Sequence, residues 1–125
     1  MVLSPVINNS TYTDPIKAKE TFRVNYFGTW DFTNSMFDLV ENNGKILFMG
    51  SIGSQRAYQL QSKEMNKRYK ESTTDRSKVD LLVEEYLTSV EQGTNLEKGW
   101  CNSEYRESKL AIEASVLAFG NEEQV

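Results

Sequence analysis

A chain of 125 residues is long enough for one domain around one core. With 18 acidic against 14 basic side chains and a formal charge of -4, it lacks the basic face of nucleic-acid binders, so nucleic acid is not an expected partner. No histidine and a single cysteine, Cys101, exclude a His/Cys zinc site, a histidine-based triad and an internal disulfide, and leave proton transfer to Tyr, Lys, Asp or Glu.

The start "MVLSPVINNS" has no basic region before a long apolar one, and no stretch reaches the roughly 20 apolar residues of a membrane span. A cytoplasmic protein without a membrane partner is expected. Val2–Ile7 is a short apolar piece broken by Pro5, followed by a polar turn at "NNST". "TDP" at Thr13–Pro15 is a helix start, with an acidic cap and proline in the first turn. Phe22, Tyr26, Trp30, Thr33, Phe37 and Val40 then recur at three- and four-residue steps, predicting one helical stripe as far as about Asn42, widened by Phe27 and Met36. "ENNG" ends that helix.

"KILFMGS", Lys45 to Ser51, follows. Its short apolar run between Gly44 and a Ser/Gly loop predicts a strand buried on both faces, as in a parallel sheet. Ala57 to about Tyr69 is expected to be helical, with "NKRYK" (Asn66–Lys70) as a solvated face. "ESTTDRS" (Glu71–Ser77) reads as a loop. Val79, Leu82, Val83, Tyr86, Leu87 and Val90 mark an amphipathic helix that Gly93 ends. After a loop over Gly93–Asn102, Ser103 caps a last helix from about Glu104 to Phe119, with Gly120 as its stop. One strand and about four helices make the class α/β and helix-rich. A central parallel strand needs neighbours, and Val2–Ile7 supplies at most one.

Three places carry chemistry. Tyr105 and Lys109 stand four residues apart on the last helix and so project from one face. An ammonium beside a phenol favours the phenolate, which makes the tyrosine a credible acid or base. The pair alone is weak, because six tyrosines and nine lysines produce it often by chance. Ser51 lies where the apolar strand ends, the side on which open α/β sheets bind ligands, and its hydroxyl can donate to a carbonyl. Asn25 interrupts the long helix beside aromatic residues, with Gly28 close behind. Both are poor helix-interior residues, and a kink or a bound water would account for them.

In chain order these residues resemble the short-chain dehydrogenase/reductase family, whose catalytic set is Asn, Ser and Y-x-x-x-K. "VNYFGTWDF", "GKILFMGSIGSQRA" and "EKGWCNSEYRESKLAI" are similar to segments of its NADPH-dependent carbonyl reductases. The 53 residues between Ser51 and Tyr105 also resemble the helical insertion of that subgroup.

The resemblance implies a partial doubly wound (Rossmann-type) parallel sheet. Residues 1–125 would be the central segment of the domain, with the insertion at about 57–92. It implies an oxidoreductase, monomeric if the domain is complete, that reduces ketones, quinones or aldehydes with NADPH. Tyr105 would donate the proton, Lys109 would support it and bind the nicotinamide ribose, Ser51 would polarise the carbonyl, and Asn25 would hold a relay water. The sequence has no T-G-x-x-x-G-x-G turn to receive the cofactor's pyrophosphate, nor the strands that carry it. "INNS" (Ile7–Ser10) only partly matches the family's N-N-A-G. Arg106 and Glu107 stand where small residues are expected. The alternative is a non-catalytic fragment or interaction protein that cannot bind cofactor.

Overall fold

The computed structural model describes residues 13–122. All regular structure in these residues is helical. The order is α1 (Pro15–Phe22), a π turn (Arg23–Phe27), α2 (Gly28–Met36), a 3-10 turn (Phe37–Leu39), α3 (Ile52–Leu60), α4 (Lys63–Ser72), α5 (Arg76–Glu91) and α6 (Glu104–Glu122).

Side-chain caps explain most of the starts. Asp14 accepts from the Ile16 N–H at 2.9 Å, with Pro15 in the first turn. Ser51, Ser62 and Asp75 do the same for α3, α4 and α5. Ser103 accepts from the Arg106 N–H at 3.3 Å, as expected for the start of α6. At the end of α5, Gly93 takes φ +71, and the N–H groups of Gly93 and Thr94 return to the carbonyls of Val90 and Ser89. That is the reciprocal glycine cap anticipated there.

α6 runs through the middle and packs on α1, the π turn, α3, α4 and α5. Its buried positions include the small residues Ser108, Ala111, Ala114, Ser115 and Ala118, which let the neighbouring helices come close. The long stripe supplies Phe22, Tyr26, Trp30 and Thr33 to this core, whereas Phe37 and Val40 stay partly exposed. Trp30 Nε1 donates to Ser115 Oγ at 2.8 Å, which satisfies a buried indole. Phe22 meets Tyr86 at 5.3 Å between ring centroids, and Tyr86 meets Trp100 at 5.5 Å.

Several expectations are corrected. Residues 57–69 do not form one helix: the chain breaks at Gln61 and Ser62, where Ser62 caps α4 and its N–H bonds the Gly99 carbonyl at 2.8 Å. Asn66 and Tyr69 of "NKRYK" turn inward. The loop expected over Glu71–Ser77 shrinks to the turn between α4 and α5. Gly120 does not stop α6, because the last turn is held to that same turn by Asn121 Nδ2 on the Thr73 carbonyl and Glu122 on the Arg76 N–H.

The largest correction concerns Lys45–Ser51. It is not a strand, and among the described residues there is no sheet. Burial still alternates with period two: Ile46 and Phe48 turn toward the helices, while Leu47 and Met49 are 90% and 82% exposed. Phe48 lies on Trp30 at 5.1 Å between centroids. The segment is therefore covered on one face, not two, and no described backbone offers it a ladder. The helix-rich class holds, and no sheet forms among the described residues. Val2–Ile7, the expected neighbouring strand, and the turn at 8–11 lie outside the described residues.

Candidate active site

The four candidate residues arrive from three elements on one side of α6. Ser51 stands at the N-terminus of α3, where its oxygen accepts from the Gly53 N–H at 3.0 Å. Tyr105 is in the first turn of α6, is 42% exposed, and its hydroxyl donates to Ser51 Oγ at 3.4 Å. Both bonds use the lone pairs of Ser51 and leave its own O–H to donate elsewhere. Lys109 follows one turn later, with its ammonium 5.8 Å from the Tyr105 ring centroid. Among the described residues it has no carboxylate partner, so its charge is available to a ligand.

Asn25 sits at the centre of the π turn. The expected kink is this turn, in which the Gly28 N–H returns five residues to the Arg23 carbonyl. That return brings the Arg23 oxygen within 2.8 Å of where a Cβ on Gly28 would stand, which accounts for glycine there. The Asn25 carbonyl accepts from Thr29 Oγ1 at 3.1 Å. Its side-chain amide donates to Ser108 Oγ at 3.2 Å, and Ser108 donates to the Tyr105 carbonyl at 2.7 Å. Asn25 and Lys109 line one cleft of about 460 Å³, whose other wall is Ile46–Met49.

Two residues near the candidates escape the motif reading. Ser108 links Asn25 to the Tyr105 backbone, and its only sequence signal is its place between Tyr105 and Lys109. Glu107 is fully buried, and burial pushes its carboxyl up to about 7, against the lowering effects of the Tyr69 phenol and the Cys101 N–H. The signal was present: Glu107, Ala111, Ala114 and Ala118 share the inward stripe of α6. Burial also pushes the Cys101 thiol up.

The fit to NADPH is one-ended. Lys109 and Tyr105 suit a ribose and a reacting carbonyl, while among the described residues no glycine-rich turn offers backbone N–H groups to a pyrophosphate. No group of acidic, cysteine or histidine side chains among them could hold a metal ion. No described helix is long and apolar enough to cross a membrane.

No family model matches the chain. Among curated proteins it is 25% identical to carbonyl reductase (NADPH) 1 of Rattus norvegicus over 118 residues, covering 88% of this chain and 43% of the relative. It is 26% identical to the Homo sapiens protein of the same name over 97 residues, with coverages of 78% and 35%. Carbonyl reductase (NADPH) 3 of Homo sapiens is 27% identical over 118 residues, with coverages of 88% and 43%. The chain thus spans less than half the length of the curated relatives it matches. These matches, together with the ordered Asn25, Ser51 and Tyr105–Lys109 positions, make the chain a distant relative of the carbonyl reductases of the short-chain dehydrogenase/reductase family.

Proposed function

We propose that these residues are the proton-delivering portion of an NADPH-dependent carbonyl reductase. They would be the central segment of a doubly wound domain, with the helices between Ala57 and Gln92 as its insertion. The observation that carries this reading is the Tyr105–Ser51–Lys109 arrangement. The Tyr105 hydroxyl holds the proton that a carbonyl oxygen gains on reduction. Ser51 donates its free O–H to the same oxygen and so orients it. Lys109 brings a positive charge to the phenol as the proton leaves. Asn25, through Ser108, holds the first turn of α6 in place. When bound, NADPH would supply the hydride; among the described residues no glycine-rich turn seats its pyrophosphate. The substrate class is a ketone, quinone or aldehyde.

A chimera tests this. Residues 13–122 would replace the matching stretch of the rat carbonyl reductase, and quinone reduction would be followed by NADPH absorbance. The chimera is expected to turn over, and Tyr105→Phe in it to lose ~100-fold or more in kcat, the usual scale for a lost proton donor. A chimera that binds NADPH and reduces quinone equally well after Tyr105→Phe would sink the assignment. The isolated chain is expected to leave NADPH fluorescence unchanged at micromolar concentration.

A second reading, a non-catalytic interaction protein, is favoured by the exposed apolar side chains Leu47, Met49 and Ile52 beside the cleft. Saturable NADPH binding by the isolated chain would count against it.

A further inference from the structure

Beneath the candidate site lies a buried polar cluster that the proposed reaction does not use. Glu107 on α6 accepts the Cys101 N–H at 3.1 Å, which ties α6 to the loop before it. Across from it stands the amide of Gln61, the residue that ends α3. That amide can sit two ways. In the first, Gln61 Nε2 donates to Asn66 Oδ1 at 2.9 Å, and Asn66 Nδ2 donates to the Tyr58 carbonyl at 2.7 Å. Gln61 Oε1 then faces the two carboxyl oxygens of Glu107 at 2.9 and 3.1 Å. Three oxygens at that range repel unless a proton lies between them, so this arrangement requires a neutral Glu107 that donates to Gln61. In the second, the Gln61 amide turns over and donates to both carboxylate oxygens. Its oxygen then stands 2.9 Å from Asn66 Oδ1. Asn66 must turn as well, and its bond to Tyr58 is lost.

We propose that Glu107 is a positioning residue whose proton selects between these two networks, and thereby sets how the end of α3 is held on α6. α3 carries Ser51 at its other end and α6 carries Tyr105, so the selection bears on the pair that faces a carbonyl. That last consequence rests on the proposed function; the proton-linked turn does not.

The titratable groups that face Glu107 are Tyr69 from α4, Tyr86 from α5 and Cys101 from the loop, all neutral near pH 7. The charged Glu104 and Arg106 on α6 are felt by Tyr86 and Cys101. No described cation is paired with Glu107 to hold it ionised. Burial pushes the Glu107 carboxyl up to about 7.

Nuclear magnetic resonance of the 125-residue chain tests the proposal without cofactor or turnover. The side-chain amide signals of Gln61 and Asn66 are expected to shift together between about pH 5 and 9, with the Glu107 carboxyl carbon and one midpoint near 7. A fluorine label on Tyr105 is expected to report the same midpoint. Glu107→Gln is expected to abolish that inflection at all these positions. Gln61→Met removes the partner that both networks share, and is expected to uncouple Asn66, whose amide stays flat while the Glu107 carboxyl titrates; an Asn66 amide that still follows the carboxyl overturns the proposal. This second variant keeps the test alive if Glu107→Gln does not fold. A carboxyl that titrates at the ordinary 4.5, or amides that stay flat while it titrates, overturns the proposal. A reductase that fails while these signals titrate overturns only the proposed function.

Discussion

The α4–α5–α6 side of the molecule and the Lys45–Gly50 side are closed to different degrees. On the first, Tyr69, Tyr86, Trp100 and Val83 are all within a few per cent of full burial, and polar caps start each helix. On the second, Leu47 and Met49 stand almost wholly in solvent above a cleft. Lys45–Gly50 is the more apolar of the two in sequence, yet it is the more exposed. The difference is the kind of partner each requires. A helix completes its own backbone hydrogen bonds and needs only a face to bury against. A buried strand needs a second backbone for its ladder and a second layer for its outer face.

The sharpest way to break this comparison is to remove side chains from each region. Phe22→Ala, at a site with no exposure, is expected to cost about 3–5 kcal/mol in chemical denaturation. Leu47→Lys is expected to stay within about 0.5 kcal/mol, as for an open surface. A large loss from Leu47→Lys would mean that something in the intact chain covers the segment.

Glu107 offers the next largest effect. Its carboxyl ionises near 4.5 in the unfolded chain and near 7 in the folded one, so the folded state holds the extra proton between those values. Its contribution to stability is fully present below about pH 4.5 and lost as pH rises through 7, a total of ~3 kcal/mol. Measured as the difference between the wild type and Glu107→Gln, this slope should lie between those pH values and vanish above them. A flat difference would return Glu107 to the ordinary carboxylate range.

The smallest test concerns the π turn. Gly28→Ala gains helix propensity of ~1 kcal/mol but places a Cβ 2.8 Å from the Arg23 carbonyl. A net loss of about 1 kcal/mol is expected, with the Asn25–Ser108 bond disturbed. A stabilised variant would show that the turn relaxes to an α-helix at no cost, and that Gly28 is not needed to keep Asn25 in place.

Much of the helical architecture is legible along the chain. Asp14–Pro15, the six apolar positions from Val79 to Val90, Gly93 and Ser103 each announce a boundary or a buried face that the structure contains. Asn25 and Gly28 signal a disturbance of the helix, and the disturbance is a π turn. The break at Gln61–Ser62 was not legible. It depends on Gly99, far along the chain, accepting the Ser62 N–H. The inward turn of Asn66 and Tyr69 was hidden because charged neighbours make the run look solvated.

The sequence by itself determined where helices start and which of their faces are apolar, because caps and periodicity act over three or four residues. It also determined that Tyr105 and Lys109 share a face, and the ordered set that relates the chain to the carbonyl reductases. Only the tertiary structure decided that the Tyr105 hydroxyl meets Ser51, that Glu107 is sealed against Gln61, and that "KILFM" lies on helices without a sheet. Those outcomes depend on contacts between residues far apart in the chain, and on whether a second backbone is present to complete a ladder.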